Sequence, residues 1–419
     1  MALGDSRKHY IRERPSHSQM TRRVGVGHFE IDHEIRSAVL NVLDSGRVSE
    51  GSATREFEKG FASFVGTKHC VAVNSGTSAL IAGLVAIMRE KGIESPASAI
   101  TSPLTYAATA NAITLAGMEP VFADVDADKF TLIPEKVSET IENGEAAELV
   151  LPVHLMGYVC DMDGFRSLAE KRDLILFEDS SQAHGSVYKG KRAGSMSLAS
   201  SFSFYIAHNI QAGELGAVCT DDLDLAKRIR RIKANGRLCD CLVCTRSEGR
   251  CPKMGEGRWD PRFLHDEVGY NFKTTEFSTA IANAQISRAN DIANKRRRNV
   301  RALNDLLDKH HDLLKLPTYS DDVSYLGYPI VIKDPARLNR ERLLIALEAE
   351  GVETRPLFGC IPIHQPAFAH LRKKYEGRLP NAEYIGANGF YIGCHQYLDE
   401  DDLTHVAAAF DKAIREVAR

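Results

Sequence analysis

The sequence has no stretch of the roughly 18 uninterrupted apolar residues that a membrane-spanning helix needs. It also lacks charge of one sign: the formal net charge over 419 residues is only -3. A field that weak favours neither nucleic acid nor an anionic membrane surface, so neither is expected as a partner. The N-terminal segment carries Arg7, Lys8, Arg12, Arg14 and Arg22 but no apolar core of a secretory signal. A cytoplasmic location is the default expectation, and cysteines there stay mostly reduced. Internal repeats and low-complexity tracts are missing too, which excludes solenoids and arrays.

What is present reads as a soluble globular protein, 43% hydrophobic and 26% charged. After helical patterns over Ile31–Leu43 and Arg55–Val65, strands and helices alternate. His69–Asn74, Ala99–Thr101, Pro120–Val125, Leu149–Val153 and Leu174–Asp179 read as buried strands. Ala79–Arg89 and Ala107–Ala116 read as helices between them. Apolar strands alternating with helices predict an α/β fold with a mostly parallel sheet covered on both faces, and ligands at the carboxyl ends of its strands. Residues 222–236 read as a charged helix and 237–265 as an irregular Cys/Gly/Arg-rich insertion. A long helix over Thr275–His310 then leads to a smaller α+β domain with strand Tyr325–Ile332 and helices Arg340–Glu350 and Asp401–Val417. The expected division is an arm (1–28), a large domain (29–300) and a small domain (301–419).

Three segments carry candidate chemistry. Asn74-Ser75-Gly76-Thr77-Ser78 ends a strand and opens a helix, where backbone N–H groups and the Thr77 hydroxyl suit a phosphate. Small residues are also common at such turns for packing alone. Asp179 ends an apolar strand in Phe177-Glu178-Asp179-Ser180-Ser181-Gln182-Ala183-His184-Gly185. A carboxylate there can keep a pyridine nitrogen protonated, or simply cap a helix. The third segment runs from Ser201 through Ser203 and His208 to Val218.

Together these segments resemble the DegT/DnrJ/StrS-type sugar aminotransferases, which act on nucleotide-linked keto sugars. The resemblance spans about Phe29 to Phe410 and includes Pro152–Gly157, Gly269–Lys273 and Thr354–Phe358. It implies an aspartate aminotransferase-like (fold type I) large domain and a pyridoxal- or pyridoxamine-phosphate cofactor. Carried over residue by residue, Gly76, Thr77 and Ser203 are expected at the phosphate. Tyr106 is expected on the ring face, Asp179 at the ring nitrogen and Gln182 at the ring hydroxyl. Asn271 is expected to reach the phosphate of a neighbouring subunit, which implies a homodimer. His154 and His184 read as structural. Arg355 reads equally as a sugar-nucleotide contact or a structural arginine.

One position departs from aminotransferases. Where they have the lysine that bonds covalently to the cofactor, this sequence has His208, and no lysine occurs between Lys191 and Lys227. An imidazole cannot form that bond but serves as a general base near neutral pH. The segment Ser203–His208 is similar to that of the family's sugar 3-dehydratases, so the expected activity is removal of the 3-hydroxyl from a nucleotide-linked 4-keto-6-deoxyhexose.

Cys239, Cys241, Cys244 and Cys251 form a C-x-C-x2-C-x6-C run. Such a run binds zinc or an iron–sulfur cluster, and the residues alone do not separate the two. Gly236–Cys241 resembles the cluster segment of the iron–sulfur 3-dehydrases, which implies a [2Fe–2S] cluster and an electron-donating reductase as partner. Ser180 and Ser181 stand where that group has a further cluster cysteine, and Leu215 stands where the family usually has glycine. The competing expectations are a non-redox dehydratase with a zinc loop, a redox enzyme acting on an aminocyclitol or other sugar, and a non-catalytic regulator.

Overall fold

The computed structural model describes residues 22–239, 241 and 260–418. Most of the expected arm and most of the Cys-rich insertion, including Cys244 and Cys251, lie outside the described residues. Two helices come first, α1 (His33–Asp44) and α2 (Ser52–Val65). The alternating region follows with β1 (His69–Val73), α3 (Gly76–Lys91), β2 (Ser98–Thr101), α4 (Ala107–Leu115), β3 (Glu119–Phe122), α5 (Pro134–Glu142), β4 (Leu149–Leu151), α6 (Met162–Arg172) and β5 (Ile175–Asp179). A short hairpin, β6 (Val187–Tyr188) and β7 (Lys191–Arg192), precedes β8 (Ala199–Ser203), β9 (Gly216–Thr220) and α7 (Leu223–Ile232). Then come α8 (Glu276–Ile286) and α9 (Ala289–Leu307). The C-terminal part holds β10 (Leu314–Lys315), β11 (Tyr328–Ile332), α10 (Arg340–Ala349), β12 (Thr354–Pro356), α11 (Ile361–His364), α12 (Arg372–Tyr375), α13 (Pro380–Asn388), β13 (Gly389–Ile392) and α14 (Glu400–Val417).

Seven strands form one sheet in the order β1-β9-β8-β5-β4-β2-β3. Only β9 runs against its neighbours, so the expected mostly parallel sheet is what forms. Successive side chains of β1 sort to opposite faces. Val71 and Val73 join one apolar cluster, and Cys70 and Ala72 join another. Both faces are therefore apolar, which explains the continuous hydrophobic runs. Helix α3 is buried along nearly its whole length against this sheet. Its Gly83 lets it approach closely, since a Cβ there would sit 2.4 Å from the ring of Phe177. A second, antiparallel sheet has the order β10-β11-β13-β12.

Several expected boundaries shift, for local reasons. The single helix over Thr275–His310 is two helices with a break at Ser287-Arg288. There Gln285 folds onto the backbone of Gln211, and Arg288 turns to pair with Asp32. The strand expected from Tyr325 begins at Tyr328, because Arg296 occupies the carbonyls of Tyr325 and Leu326. The strand expected to reach Val125 stops at Phe122, and Asp124 instead caps the first turn of α13 through the N–H groups of Asn381 and Ala382. Helix α7 ends at Ile232, where Lys233 is drawn into the interior toward Glu50 and the carbonyl of Ala72. Strands β8 and β9 were not anticipated from the sequence. No helix among the described residues is long and apolar enough to cross a membrane.

Candidate active site

A cavity of about 1220 Å³ opens at the carboxyl ends of β5 and β8. Of the cofactor residues expected from the sequence, it brings together Gly76, Thr77, Tyr106, Asp179, Gln182 and Ser203, with His208 beside them. Asn271 is not among its lining residues. It is exposed, and its side chain accepts a hydrogen bond from Lys273.

The phosphate end is built by close packing. Ser75 caps α3, its Oγ accepting from the N–H of Ser78 at 3.1 Å. The N–H groups of Gly76 and Thr77 are left without an intrahelical partner, at the positive end of the helix dipole. The end of β8 presses against this turn. A Cβ on Gly76 would lie 2.4 Å from the Cβ of Ser203, so the position excludes larger residues.

Asp179, the last residue of β5, is buried. Its Oδ2 accepts from Thr109 Oγ1 at 2.9 Å and its Oδ1 from the N–H of Ser181 at 3.2 Å. Gln182 accepts the N–H of Met156 on Oε1 at 3.0 Å, which leaves its NH2 group for a ligand. Met156 has φ 55° to allow this, a conformation a non-glycine residue adopts at a cost. Tyr106 precedes α4 and is 64% exposed although it lines the cavity. A large ring open to a cavity is suited to stacking on a flat ligand.

His208 sits in the turn after β8, its N–H donating to the carbonyl of Tyr205 at 2.9 Å. Nδ1 is enclosed and has no partner among the described residues, so Nε2 is the atom left to face the cavity. Loss of hydration, reinforced by the nearby charge of Arg296, pushes its pKa down from 6.5 to about 4. The imidazole is therefore neutral at pH 7 and able to take a proton. No lysine occurs among the described residues that line the cavity.

Behind His208 lies a layer the sequence did not reveal. Arg296 is 1% exposed and binds two main-chain carbonyls and Gln396, with no carboxylate partner among the described residues. In the sequence it falls inside Lys295-Arg296-Arg297-Arg298, which reads as a solvated face. His184 is enclosed by Phe61, Phe202 and Phe204, with its ring centre 6.1 Å from that of His208. Neither of its nitrogens has a partner among the described residues, and burial pushes its pKa well down. His154 is structural in the way expected. Its Nε2 pairs with buried Glu178 at 2.9 Å, beneath Asp179. Burial alone would raise the Glu178 carboxyl, but bonds from His154, Gly194 and Ser197 outweigh it and hold it low.

Arg355 lines the cavity and pairs with Glu353. Leu215 is fully buried with Phe204 and Ile210. Of the cysteine run, Cys239 is half-buried and Cys241 exposed. Among the described residues no three His, Cys, Asp or Glu side chains gather to hold a metal. The other five cysteines are buried core residues. Two of them, Cys70 and Cys219, are direct partners across β1 and β9.

Sheet, helices and cavity define the aspartate aminotransferase-like fold. Residues 29–411 match the DegT/DnrJ/EryC1/StrS aminotransferase family, and the chain belongs to it. It is 32% identical to a GDP-perosamine synthase of Caulobacter vibrioides, over 94% of this chain and 98% of that protein. It is 29% identical to a dTDP-4-dehydro-2,6-dideoxy-D-glucose 3-dehydratase of Saccharopolyspora spinosa, over 90% of this chain and 83% of that one. An E. coli GDP-4-keto-6-deoxy-D-mannose-3-dehydratase structure with bound hydrated PLP superposes with a TM-score of 0.80, covering 94% of this chain and all of that one at 24% identity. That likeness is one of fold.

Proposed function

We propose that this chain is a pyridoxamine-phosphate-dependent 3-dehydratase of a nucleotide-linked 4-keto-6-deoxyhexose. The observation that carries the reading is a neutral imidazole, His208, at the wall of a cavity with no lysine among its described lining residues. A family transaminase needs a covalent lysine, and none of the described residues lining the cavity is one.

The residues present fit the cofactor. The α3 N-terminus, Thr77 and Ser203 would hold its phosphate, and the Gly76–Ser203 contact leaves no room for a side chain in that cradle. Tyr106 would cover the ring and Gln182 would donate its NH2 to the ring hydroxyl. When bound, the cofactor supplies an electron sink conjugated to sugar carbon 4. Asp179 would keep the ring nitrogen protonated. His208 Nε2 would take a proton and return one to the departing 3-hydroxyl, and its low proton affinity favours the return while making the uptake the harder half. Asn271 would complete the phosphate site of a second copy, so the active form would be a homodimer.

The cysteine run is a separable proposal. A [2Fe–2S] cluster on Cys239, Cys241, Cys244 and Cys251 would make the deoxygenation reductive and require a reductase. Zinc in the same loop would leave it non-redox. The test is to incubate anaerobically purified protein and pyridoxamine phosphate, with and without dithionite as electron donor, with GDP-, dTDP- and CDP-linked 4-keto-6-deoxyhexoses. Mass spectrometry should show a sugar lacking its 3-oxygen. Amino transfer to carbon 4 with the 3-hydroxyl retained would refute the proposal.

A further inference from the structure

The wild-type contacts of Asp179 run one step further than the site described so far. Thr109 Oγ1 lies 2.9 Å from Asp179 Oδ2, and Thr105 Oγ1 lies 3.0 Å from Thr109 Oγ1. Thr105 stands just before the N-cap of α4, and Thr109 lies in its first turn. They are 3% and 1% exposed, so water does not compete for these bonds.

The direction of the chain follows from proton counting. An ionised carboxylate only accepts, so Thr109 must spend its single hydroxyl proton on Asp179. Its bond to Thr105 can then run only one way, with Thr105 donating to the Thr109 oxygen. Two hydroxyls aligned head to tail strengthen one another in a dry interior. With Ser181 N–H on Oδ1, both carboxylate oxygens are pinned, and the acceptor positions left over belong to the side that lines the cavity.

We infer that Thr109, supported by Thr105, is a positioning residue that aims Asp179 at the ring nitrogen of the cofactor. This rests on the reading that Asp179 meets that nitrogen. The turn that carries Thr105 and Thr109 also carries Tyr106, the residue placed to cover the ring. One helix start would therefore fix both the face of the ring and its nitrogen.

The test uses the full chain with pyridoxal phosphate labelled with nitrogen-15 in its ring. Binding is followed by absorbance, and ring-nitrogen protonation by nitrogen chemical shift. Thr109→Val keeps shape and removes the donor. It should weaken cofactor binding by about tenfold, the scale of one hydrogen bond to a charged group, and move the nitrogen signal toward the unprotonated position. Thr109→Ser should restore both. Thr105→Val should move both in the same direction by less, since it acts through Thr109. Asp179→Asn is the control for the underlying reading. If it leaves affinity and nitrogen signal unchanged, the Asp179 assignment itself fails. If it abolishes protonation while Thr109→Val matches the unaltered protein, the Thr109 inference fails alone. A Thr109→Val protein that binds weakly with an unshifted nitrogen signal also overturns it, because packing loss alone would give that result.

Discussion

Lowering the pH tests the base directly. In solution a histidine is half protonated at pH 6.5, and in this site burial and the Arg296 charge bring that point to about 4. At pH 5.5 the neutral fraction would then be about 97%, against about 9% for an unperturbed imidazole. The acid limb of kcat/KM should thus fall near pH 4, with roughly tenfold more activity at pH 5.5 than an ordinary histidine allows. The same shift is a stability statement. The unfolded chain takes up its proton first, so stability contributed by neutral His208 is full above pH 6.5 and declines as pH falls toward 4. The loss over that range is on the order of 3 kcal/mol. His395 is also held at about 4 by burial and Arg296, and burial lowers His184 too, so all three act in the same direction. Chemical denaturation at pH 7, 6 and 5 should show stability dropping at each step, and His208→Asn should make the drop shallower. An acid limb centred at pH 6.5 or above would refute the reasoning, because it would mean that His208 is hydrated or paired with an anion.

Three further outcomes follow from the same geometry. His208→Lys should place an amine against the cofactor, so borohydride reduction with pyridoxal phosphate should add the cofactor mass to the peptide carrying position 208. An unmodified peptide would count against the assigned position. Cys239→Ser and Cys241→Ser should each lower bound iron or zinc by elemental analysis while the oligomeric state in sedimentation is kept; unchanged metal content would remove both from the ligand set. His184→Phe keeps the aromatic cage and removes two unpartnered nitrogens, so it should raise stability by about 1–2 kcal/mol in a denaturant melt. A loss of stability would reveal a partner for that imidazole.

The parts of this protein that were readable in its sequence are those where one local pattern decides the outcome. Apolar runs bounded by small polar residues gave β1 through β5, and Ser75-Gly76-Thr77 gave the start of α3, because capping and burial act over a few residues. Strand β8 was missed because Ser200, Ser201 and Ser203 break the apolar pattern, and β9 because it is short and one of its two partners, β1, lies far away in the chain. The break between α8 and α9 depends on Gln211 and Asp32, far from it in sequence. Arg296 was not read from the sequence. Its neighbours Lys295 and Arg298 are exposed and the basic run masks it, although helical spacing from Ile292, Val300 and Leu303 places it on the buried face of α9. His208 was legible as an exception to a resemblance, but its proton affinity was not, since that is set by Arg296 and by enclosure.

That division bears on how a reaction can change while a fold does not. The groups that would grip a phosphate and a pyridine nitrogen here belong to strand ends and helix starts, and close packing fixes them: Gly76 against Ser203, Asp179 against Thr109, Gln182 against Met156. Residue 208 is different. It sits in an irregular turn held by one main-chain bond, and no hydrogen bond among the described residues fixes its ring. A side chain in such a place can be exchanged without disturbing the grip, so covalent capture can be traded for plain proton transfer at one position. What must accompany the exchange is an environment that keeps the imidazole neutral, and burial supplies it, reinforced by the charge of Arg296. Replacing Arg296 by methionine would leave the two carbonyls it binds unsatisfied, and should cost stability before it altered the base. The reaction is thus proposed to change at the wall of the cavity, while the energy that holds the cavity open is invested in residues the substitution never meets.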